Sequence, residues 1–402
     1  MPERIYVIQP IENDRYQILH DEIVALIESA GAEYIDTVYQ NIREINPATY
    51  VGEGKLAELK PLISEDDTVL FNGELSPSQT LNISAALGGV KVIDRTTLIL
   101  DIFALRAESS EGKIQVELAQ LKYLYPRLKG KGAALSRLGG GIGTRGPGES
   151  KLETDRRHIR TRIHALEGKL AETEQRRALQ VQRRKKERVK IIALVGYTNT
   201  GKSTLLNTLT GADVFVKNAL FATLDPTARN FCVEGVPFLL VDTVGFLQSL
   251  PHRLIEAFHS TLESALNADL ALIVCDAAGE YETQLSVTLE TLKEMGFSAP
   301  YLIVMNKCDL VEDTLALPVG SVHISAKSGK GLDNLKARIM QALEEEFVRA
   351  ELFIPYAALA RYNAIRSLIT ESDVQYTDDG SCVKAIIPTI YVDRFREFIV
   401  KK

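Results

Sequence analysis

The stretch KIIALVGYTNTGKSTLLNTLTG, residues 190–211, decides how the centre of this 402-residue chain folds. An apolar run predicted as a strand leads into the pattern GxxxxGKS at residues 196–203, and a helix-forming segment follows. The N–H groups of such a loop and of the helix start bind phosphate oxygens. The stretch therefore predicts a nucleoside triphosphate site, whose loop residues are Gly196, Tyr197, Thr198, Asn199, Thr200, Gly201, Lys202, Ser203 and Thr204.

Four side chains or N–H groups have predicted roles around the phosphates. Lys202 is expected to reach the β- and γ-phosphates, and the Ser203 hydroxyl is expected to ligate Mg²⁺. Asp242 ends the apolar run FLLV, which places it at a strand's carboxyl edge beside the same metal. Gly245 offers a backbone N–H to the γ-phosphate. Lys202 and Gly245 are thus candidate catalytic residues, and Ser203 and Asp242 are candidate metal ligands.

Two later motifs select the base. NKCD at residues 306–309 follows the apolar run YLIVM, and SAK at residues 325–327 follows VHI. The Asp309 carboxylate can accept hydrogen bonds from both N1–H and the 2-amino group of guanine, a donor pair that adenine lacks. The sequence therefore predicts a guanine site, and its residues are Asn306, Lys307, Asp309, Ser325, Ala326 and Lys327.

The hydrolytic machinery is less fully specified by the sequence. Either Thr223 or Thr227 could complete the magnesium shell, and we favour Thr223 as a catalytic and metal-binding residue. Phe246 stands where many GTPases place a glutamine that orients water, so slow basal hydrolysis is expected. Asn199 is a candidate ligand for K⁺ at the phosphates; a structural role in the loop is the alternative.

Charge is distributed unevenly along the chain. The whole chain carries a net charge of −6, yet residues 113–190 hold 21 basic and 8 acidic residues. Apolar residues spaced three and four apart predict two helices in this region, paired as an antiparallel hairpin. One seam runs from Ile114 through Leu118, Leu121 and Tyr125 to Leu128. A basic block of this kind favours a polyanion partner over a merely solvated helix face.

The segment between these helices, residues 129–150, contains eight glycines. Glycines allow close approach of a backbone to a partner, and arginines pair with phosphates through two hydrogen bonds. We interpret the segment as an RNA-contacting tip; a flexible linker is the alternative. The candidate RNA-binding residues are Arg137, Gly139, Gly140, Gly141, Gly143, Arg145, Arg156 and Arg157.

The chain as a whole is predicted to be an α/β protein of four parts. Residues 1–110 alternate strands and helices, as in a small parallel α/β subdomain, and residues 111–188 form the hairpin. Residues 189–348 form a P-loop GTPase domain with a mostly parallel sheet, and residues 349–402 form a small α+β module. GEGK at residues 52–55 is interpreted as a helix start, with a second nucleotide site as the alternative.

Together these motifs resemble the HflX family of ribosome-associated GTPases. The G-domain pieces are GYTNTGKSTLLN, FATLDPT, DTVGF, NKCD and SAKSGKGL, and the more specific pieces are GEGKLAEL and RLGGGIGTRGPGESKLETDRR. The resemblance implies GTP hydrolysis with Mg²⁺ and binding to ribosomal RNA of the large ribosomal subunit. It also implies a role in dissociating stalled ribosomes.

Two rival functions remain open at this stage. The chain could act in ribosome or RNA maturation, or it could be a regulatory GTPase whose hairpin binds a protein or an anionic membrane. No apolar run reaches the roughly 20 residues that cross a bilayer, and the four cysteines have no paired or metal-type spacing. We expect a cytoplasmic monomer that binds GTP and GDP, with no DNA partner and no membrane span.

Overall fold

The computed structural model of the protein describes residues 2–11, 16–136, 147–187, 189–211, 220–221, 227–247, 266–312 and 317–400. The chain divides into two compact units. The first comprises residues 1–183, 217–225 and 247–261, and the second comprises residues 184–216, 226–246 and 262–402.

The first unit is built on a four-stranded parallel sheet. Its strands are β1 (Arg4–Ile11), β2 (Glu33–Asn41), β3 (Thr68–Phe71) and β4 (Lys91–Asp94), in the order β2-β1-β3-β4. Its helices are α1 (Tyr16–Ser29), α2 (Glu53–Leu59), α3 (Pro77–Ala86) and α4 (Arg95–Arg106). The predicted alternation of strands and helices is confirmed, and GEGK does begin a helix, since Gly52 precedes α2.

Local sequence explains where two of these helices begin. At α3, the Ser76 hydroxyl accepts from Gln79 N–H while the Gln79 side chain accepts from Ser76 N–H, which is a complete capping box. At α4, the Asp94 carboxylate accepts from Thr97 N–H. Apolar side chains such as Ile8 and Phe71 are fully buried between the sheet and its helices.

Two long helices follow, α5 (Ser110–Ser136) and α6 (Pro147–Glu187). Both extend further than predicted into the segment 129–150, since residues 129–136 belong to α5 and residues 147–150 to α6. They run antiparallel, because Glu117 pairs with Arg162, whereas Tyr125, two turns further along α5, contacts Arg156, which lies earlier in α6. The interpretation of α5 as a simple hairpin seam is wrong in part. Leu118 of the predicted seam is buried, but Val116, Ala119 and Tyr123, which lie outside that seam, are buried as well, and α5 also contacts α3 and α4. An amphipathic pattern shows that a stripe is buried without showing what covers it.

The second unit contains a six-stranded sheet in the order β10-β9-β8-β5-β7-β6, parallel except for β6. Its strands are β5 (Lys190–Val195), β6 (Thr227–Val233), β7 (Val236–Asp242), β8 (Leu270–Asp276), β9 (Tyr301–Asn306) and β10 (Val322–His323). Its helices are α7 (Lys202–Thr210), α8 (Tyr281–Glu294) and α9 (Leu332–Ala342). Both faces of the sheet are covered: Ile192 and Leu194 join one apolar cluster, and Ala193 and Val195 join another.

The same unit ends in a three-stranded antiparallel sheet. Its elements are β11 (Phe347–Pro355), β12 (Thr370–Tyr376) and β13 (Gly380–Pro388), with the short helices α10 (Leu359–Ile365) and α11 (Val392–Phe395). β12 begins at Thr370, soon after α10, and Phe398 O, beyond α11, accepts from Phe353 N–H of β11. The α/β fold class with a P-loop GTPase domain is confirmed.

Candidate guanine nucleotide site

The phosphate loop leaves the carboxyl end of the central strand β5, and two glycines make its path possible. Gly196 has φ +145°, and a Cβ there would lie 2.3 Å from Val274 O. Gly201 has φ +90°, and a Cβ there would lie 2.4 Å from Asn306 Nδ2. A side chain at either position would collide with neighbouring atoms and strain the backbone. The two glycines therefore define where the backbone N–H groups point.

Lys202 begins α7 and is held inside this loop. Its Nζ donates to Gly196 O at 3.1 Å and to Tyr197 O at 2.6 Å, and the residue is only 6% exposed. Burial lowers the pKa of Lys202 to about 8, although Asp242 opposes that shift. Phosphate oxygens would supply the negative charge that the buried ammonium lacks.

Ser203 and Asp242 form a second polar contact next to the loop. Ser203 Oγ donates to Asp242 Oδ2 at 2.6 Å, and Asp242 is 1% exposed at the end of β7. A hydroxyl and a carboxylate are hard oxygen donors of the kind that Mg²⁺ prefers. In the described part of the chain, no group of three or more His, Cys, Asp or Glu side chains could hold a metal. The pair fits an ion that takes its remaining ligands from phosphate and water.

The segment after β7 is hydrogen-bonded to the phosphate loop. Thr198 N–H donates to Phe246 O at 2.8 Å, and Phe246 N–H donates to Gly196 O at 3.0 Å. A Cβ on Gly245 would lie 3.0 Å from Lys202 Nζ, so this glycine stands directly beside the Lys202 ammonium. The Phe246 ring is 2% exposed and belongs to an apolar cluster under the sheet. Its side chain is therefore part of the core.

Asn306 connects the base motifs to the phosphate loop. Its Nδ2 donates to Thr200 O at 2.8 Å, and its Oδ1 accepts from Ala326 N–H at 2.9 Å. The residue is 2% exposed, so both bonds lie away from water. One amide thus fixes the loop that carries Thr200 to the loop that carries Ala326.

Around this amide stand the other predicted base-binding residues. A hydrogen bond from Ser325 lowers the pKa of Asp309 below its usual value, which keeps the carboxylate ionised and able only to accept. Ser325 is fully buried, and Lys327 is exposed on the same loop. Lys307 has φ +62°, and its Nζ lies 2.6 Å from Asp276 Oδ2. The arrangement presents a carboxylate acceptor at the edge of an anchored loop.

Most of the predicted nucleotide residues therefore converge at the carboxyl edge of one sheet. Asn199 lies exposed in the loop with φ +60°, and Thr204 lies in the first turn of α7. Thr227 begins β6 with Asp242 as its register partner, whereas Thr223 falls outside the described residues. The tip residues Arg137, Gly139, Gly140, Gly141, Gly143 and Arg145 also fall outside them.

Sequence reasoning missed two residues that support the site. Asp276 pairs with Lys307, and Thr243 Oγ1 donates to Leu194 O at 2.7 Å. The sequence does mark Asp276, because this residue is the single charged residue at the end of the apolar strand LALIVCD. No such signal marks Thr243, whose partner is a backbone carbonyl.

The two remaining candidate RNA-binding residues, Arg156 and Arg157, lie together on α6, where they line a pocket with Tyr125 of α5. No helix among the described residues is long and apolar enough to cross a membrane.

Models of three protein families match the chain. They are described as GTP-binding GTPase N-terminal (residues 18–104), GTP-binding GTPase Middle Region (residues 106–184) and 50S ribosome-binding GTPase (residues 191–307).

Curated relatives cover almost the whole chain. A GTPase HflX of Caldanaerobacter subterraneus subsp. tengcongensis is 47% identical over 99% of this chain and 94% of its own length. The GTPase HflX of Escherichia coli K12 is 42% identical over 83% of this chain and 81% of its own length. Among solved structures, the complex of SsGBP with GDP is 26% identical, with a TM-score of 0.47, and covers 86% of this chain and 99% of that one.

Proposed function

The chain belongs to the HflX family of GTPases, and on that premise we propose that it binds the large ribosomal subunit and helps to dissociate stalled ribosomes. Its enzymatic activity is the hydrolysis of GTP to GDP and phosphate. The observation that carries the ribosomal part is the charge of α6 and of the residues just after it: residues 151–190 hold 14 basic and 6 acidic residues in an otherwise acidic protein. Such a charge distribution suits the phosphate backbone of RNA.

For the hydrolytic step, each residue has a proposed role. Lys202 binds the β- and γ-phosphates, and Gly245 N–H binds a γ-phosphate oxygen. Ser203, Asp242 and Thr223 hold Mg²⁺, which when bound neutralises charge on the phosphates. Asp309 accepts from guanine. Asn199 holds K⁺ beside the phosphates, since its amide is exposed at the loop and its carbonyl oxygen suits a hard cation.

The chain is organised in four parts, residues 1–110, 111–188, 189–348 and 349–402, and works as a cytoplasmic monomer. The glycine-rich tip, residues 129–150, contacts ribosomal RNA, and the GTP state sets the affinity of the whole chain for the subunit.

The test is sedimentation of the chain with separated ribosomal subunits, in the presence of a non-hydrolysable GTP analogue or of GDP. We expect co-sedimentation with the large subunit, and more of it with the analogue. Dissociation of intact ribosomes is followed by light scattering, with a variant in which residues 138–148 are replaced by a tight turn. That variant should retain GTP binding and lose dissociation. Binding to anionic vesicles but to neither subunit would refute the proposal.

A further inference from the structure

Outside the nucleotide site, the helices α5 and α6 enclose a pocket of about 420 Å³. This volume lies within the range of roughly 300–1,000 Å³ typical of small-ligand sites. Its lining residues are Tyr125, Glu153, Thr154, Arg156, Arg157 and Arg160. Three arginines and one glutamate give the pocket an excess of positive charge.

The three arginines of the pocket are not neutralised locally. Among the residues that the structure describes, no carboxylate lies within 4.0 Å of the guanidinium nitrogens of Arg156, Arg157 or Arg160. Arg162, on the same helix, behaves differently: its Nε and Nη2 lie 2.6 and 2.8 Å from the two oxygens of Glu117. The helix therefore presents one arginine that is already paired and three whose charge faces an open pocket.

Tyr125 holds two of these guanidinium groups in place. Arg160 donates to Tyr125 Oη from Nη2 at 2.6 Å and from Nε at 3.2 Å. The guanidinium carbons of Arg156 and Arg160 lie 5.3 and 5.7 Å from the centre of the Tyr125 ring. Arg156 Nε is buried, with no hydrogen-bond partner among the described residues. Positively charged donors are thus oriented before any ligand arrives, which reduces the entropy lost on binding.

The chemistry of the lining selects the ligand. A guanidinium group matches the oxygens of a phosphate with two parallel hydrogen bonds, and guanidinium planes and tyrosine rings also stack on bases. A phosphorylated nucleotide combines both features and fits the volume. Because α6 carries further basic residues on either side of the pocket, a strand that continues beyond one nucleotide finds more positive charge than a free nucleotide does.

We propose that the pocket formed by Tyr125, Arg156, Arg157 and Arg160 binds one phosphorylated nucleotide of an RNA strand. The choice of RNA rests on the proposed function, whereas the pocket and its unpaired arginines do not. The apolar spacing along α5 predicts Tyr125 as a seam residue, but its hydroxyl and ring instead contact the arginines of the facing helix.

The test uses the full-length chain and a short fluorescent single-stranded RNA of mixed sequence, titrated at several salt concentrations. Arg160→Gln should weaken binding about tenfold, the loss expected for one charge-assisted contact. It should also reduce the salt dependence by about one phosphate contact. The matched control is Arg162→Gln, which removes the same charge from the same helix but leaves the pocket intact. It should weaken binding less than about threefold.

A second variant protects the test against misfolding. Tyr125→Phe keeps the ring and removes only the hydroxyl that accepts from Arg160, so it should weaken RNA binding by a smaller factor without changing the circular dichroism. Equal losses in Arg160→Gln and Arg162→Gln would overturn the proposal, because charge alone would then explain binding. Tight binding of uridine 5′-monophosphate or inorganic phosphate, with no gain for RNA, would overturn it in favour of a free ligand.

The same variants separate this proposal from the ribosomal one. If the chain sediments with large subunits while Arg160→Gln behaves as Arg162→Gln does, the pocket assignment fails and ribosome binding stands. If RNA binding depends on Arg160 but no subunit is bound, the pocket stands and the ribosomal proposal fails.

Discussion

The ring of Phe221 packs edge-to-face on the ring of Phe103, with 4.5 Å between the ring centres. Both rings are almost completely buried, and Leu220 N–H donates to Ser29 Oγ at 3.1 Å immediately beside them. Phe221 also has φ +55°, a backbone conformation that bulky residues rarely adopt. Although Leu220 and Phe221 lie in the chain between α7 and β6 of the second unit, they belong to the first unit.

This packing should stabilise the first unit. Phe221→Ala removes a buried ring and should lower the free energy of unfolding by about 3–5 kcal/mol. Ser29→Ala, which removes only the hydrogen bond to Leu220 N–H, should lower it by about 1 kcal/mol. Equal losses for the two variants, measured by chemical denaturation, would contradict the prediction.

Base selection should depend on the Asp309 carboxylate. Its lowered pKa keeps it ionised, so Asp309→Asn replaces an acceptor with a group that donates towards guanine N1–H. GTP affinity should fall about a hundredfold, as expected for two hydrogen bonds to a charged group. Xanthosine triphosphate, which presents an acceptor where guanine has its 2-amino group, should bind the variant better than GTP does. Unchanged GTP affinity would show that another residue reads the base.

Introducing a glutamine after Gly245 should not speed up hydrolysis. The Phe246 side chain is 2% exposed inside the core, so the amide of Phe246→Gln would be buried away from the phosphates. We expect a loss of about 2–4 kcal/mol in the free energy of unfolding and no gain in basal turnover. Phe246→Leu is the control for lost volume alone. A turnover several-fold above the parent's would mean that residue 246 reaches the nucleotide.

Potassium dependence should trace to the exposed Asn199 amide. Turnover should be higher in K⁺ than in Na⁺, and Asn199→Gly should remove the difference while tolerating φ +60°. Asn199→Asp keeps an oxygen at the same place and should retain the K⁺ preference. An identical K⁺ to Na⁺ ratio in the parent and in Asn199→Gly would assign the asparagine a structural role only.

How far the sequence predicts this protein differs from one region to the next. The nucleotide motifs are local, since residues 196–203 form their own loop, and their placement follows from strand and helix signals alone. The bridge made by Asn306 joins three loops that are distant in sequence, so no spacing reveals it. The spacing of apolar residues along α5 is the same whether Tyr125 packs in an apolar seam or contacts arginines. Only the residues of α6 that face it, Arg156 and Arg160, distinguish these two roles.

Binding of GTP should take up a proton near pH 8. Burial holds the pKa of Lys202 at about 8 without nucleotide, below the usual 10.5, so at pH 8 about half of the molecules carry a neutral amine. Phosphate oxygens favour the charged form, so binding recruits the missing proton and affinity falls as pH rises from 7 to 8.5. The same burial means that the charged lysine lowers the free energy of unfolding below pH 8, and this destabilisation fades as the pH rises from 8 to 10.5.

Calorimetry in two buffers of different ionisation enthalpy measures the proton uptake on GTP binding, which we expect to be about half a proton at pH 8. Lys202→Arg keeps its charge throughout and should bind more weakly but without this pH dependence. Equal heats in both buffers for the parent would show that Lys202 is already fully charged before GTP arrives.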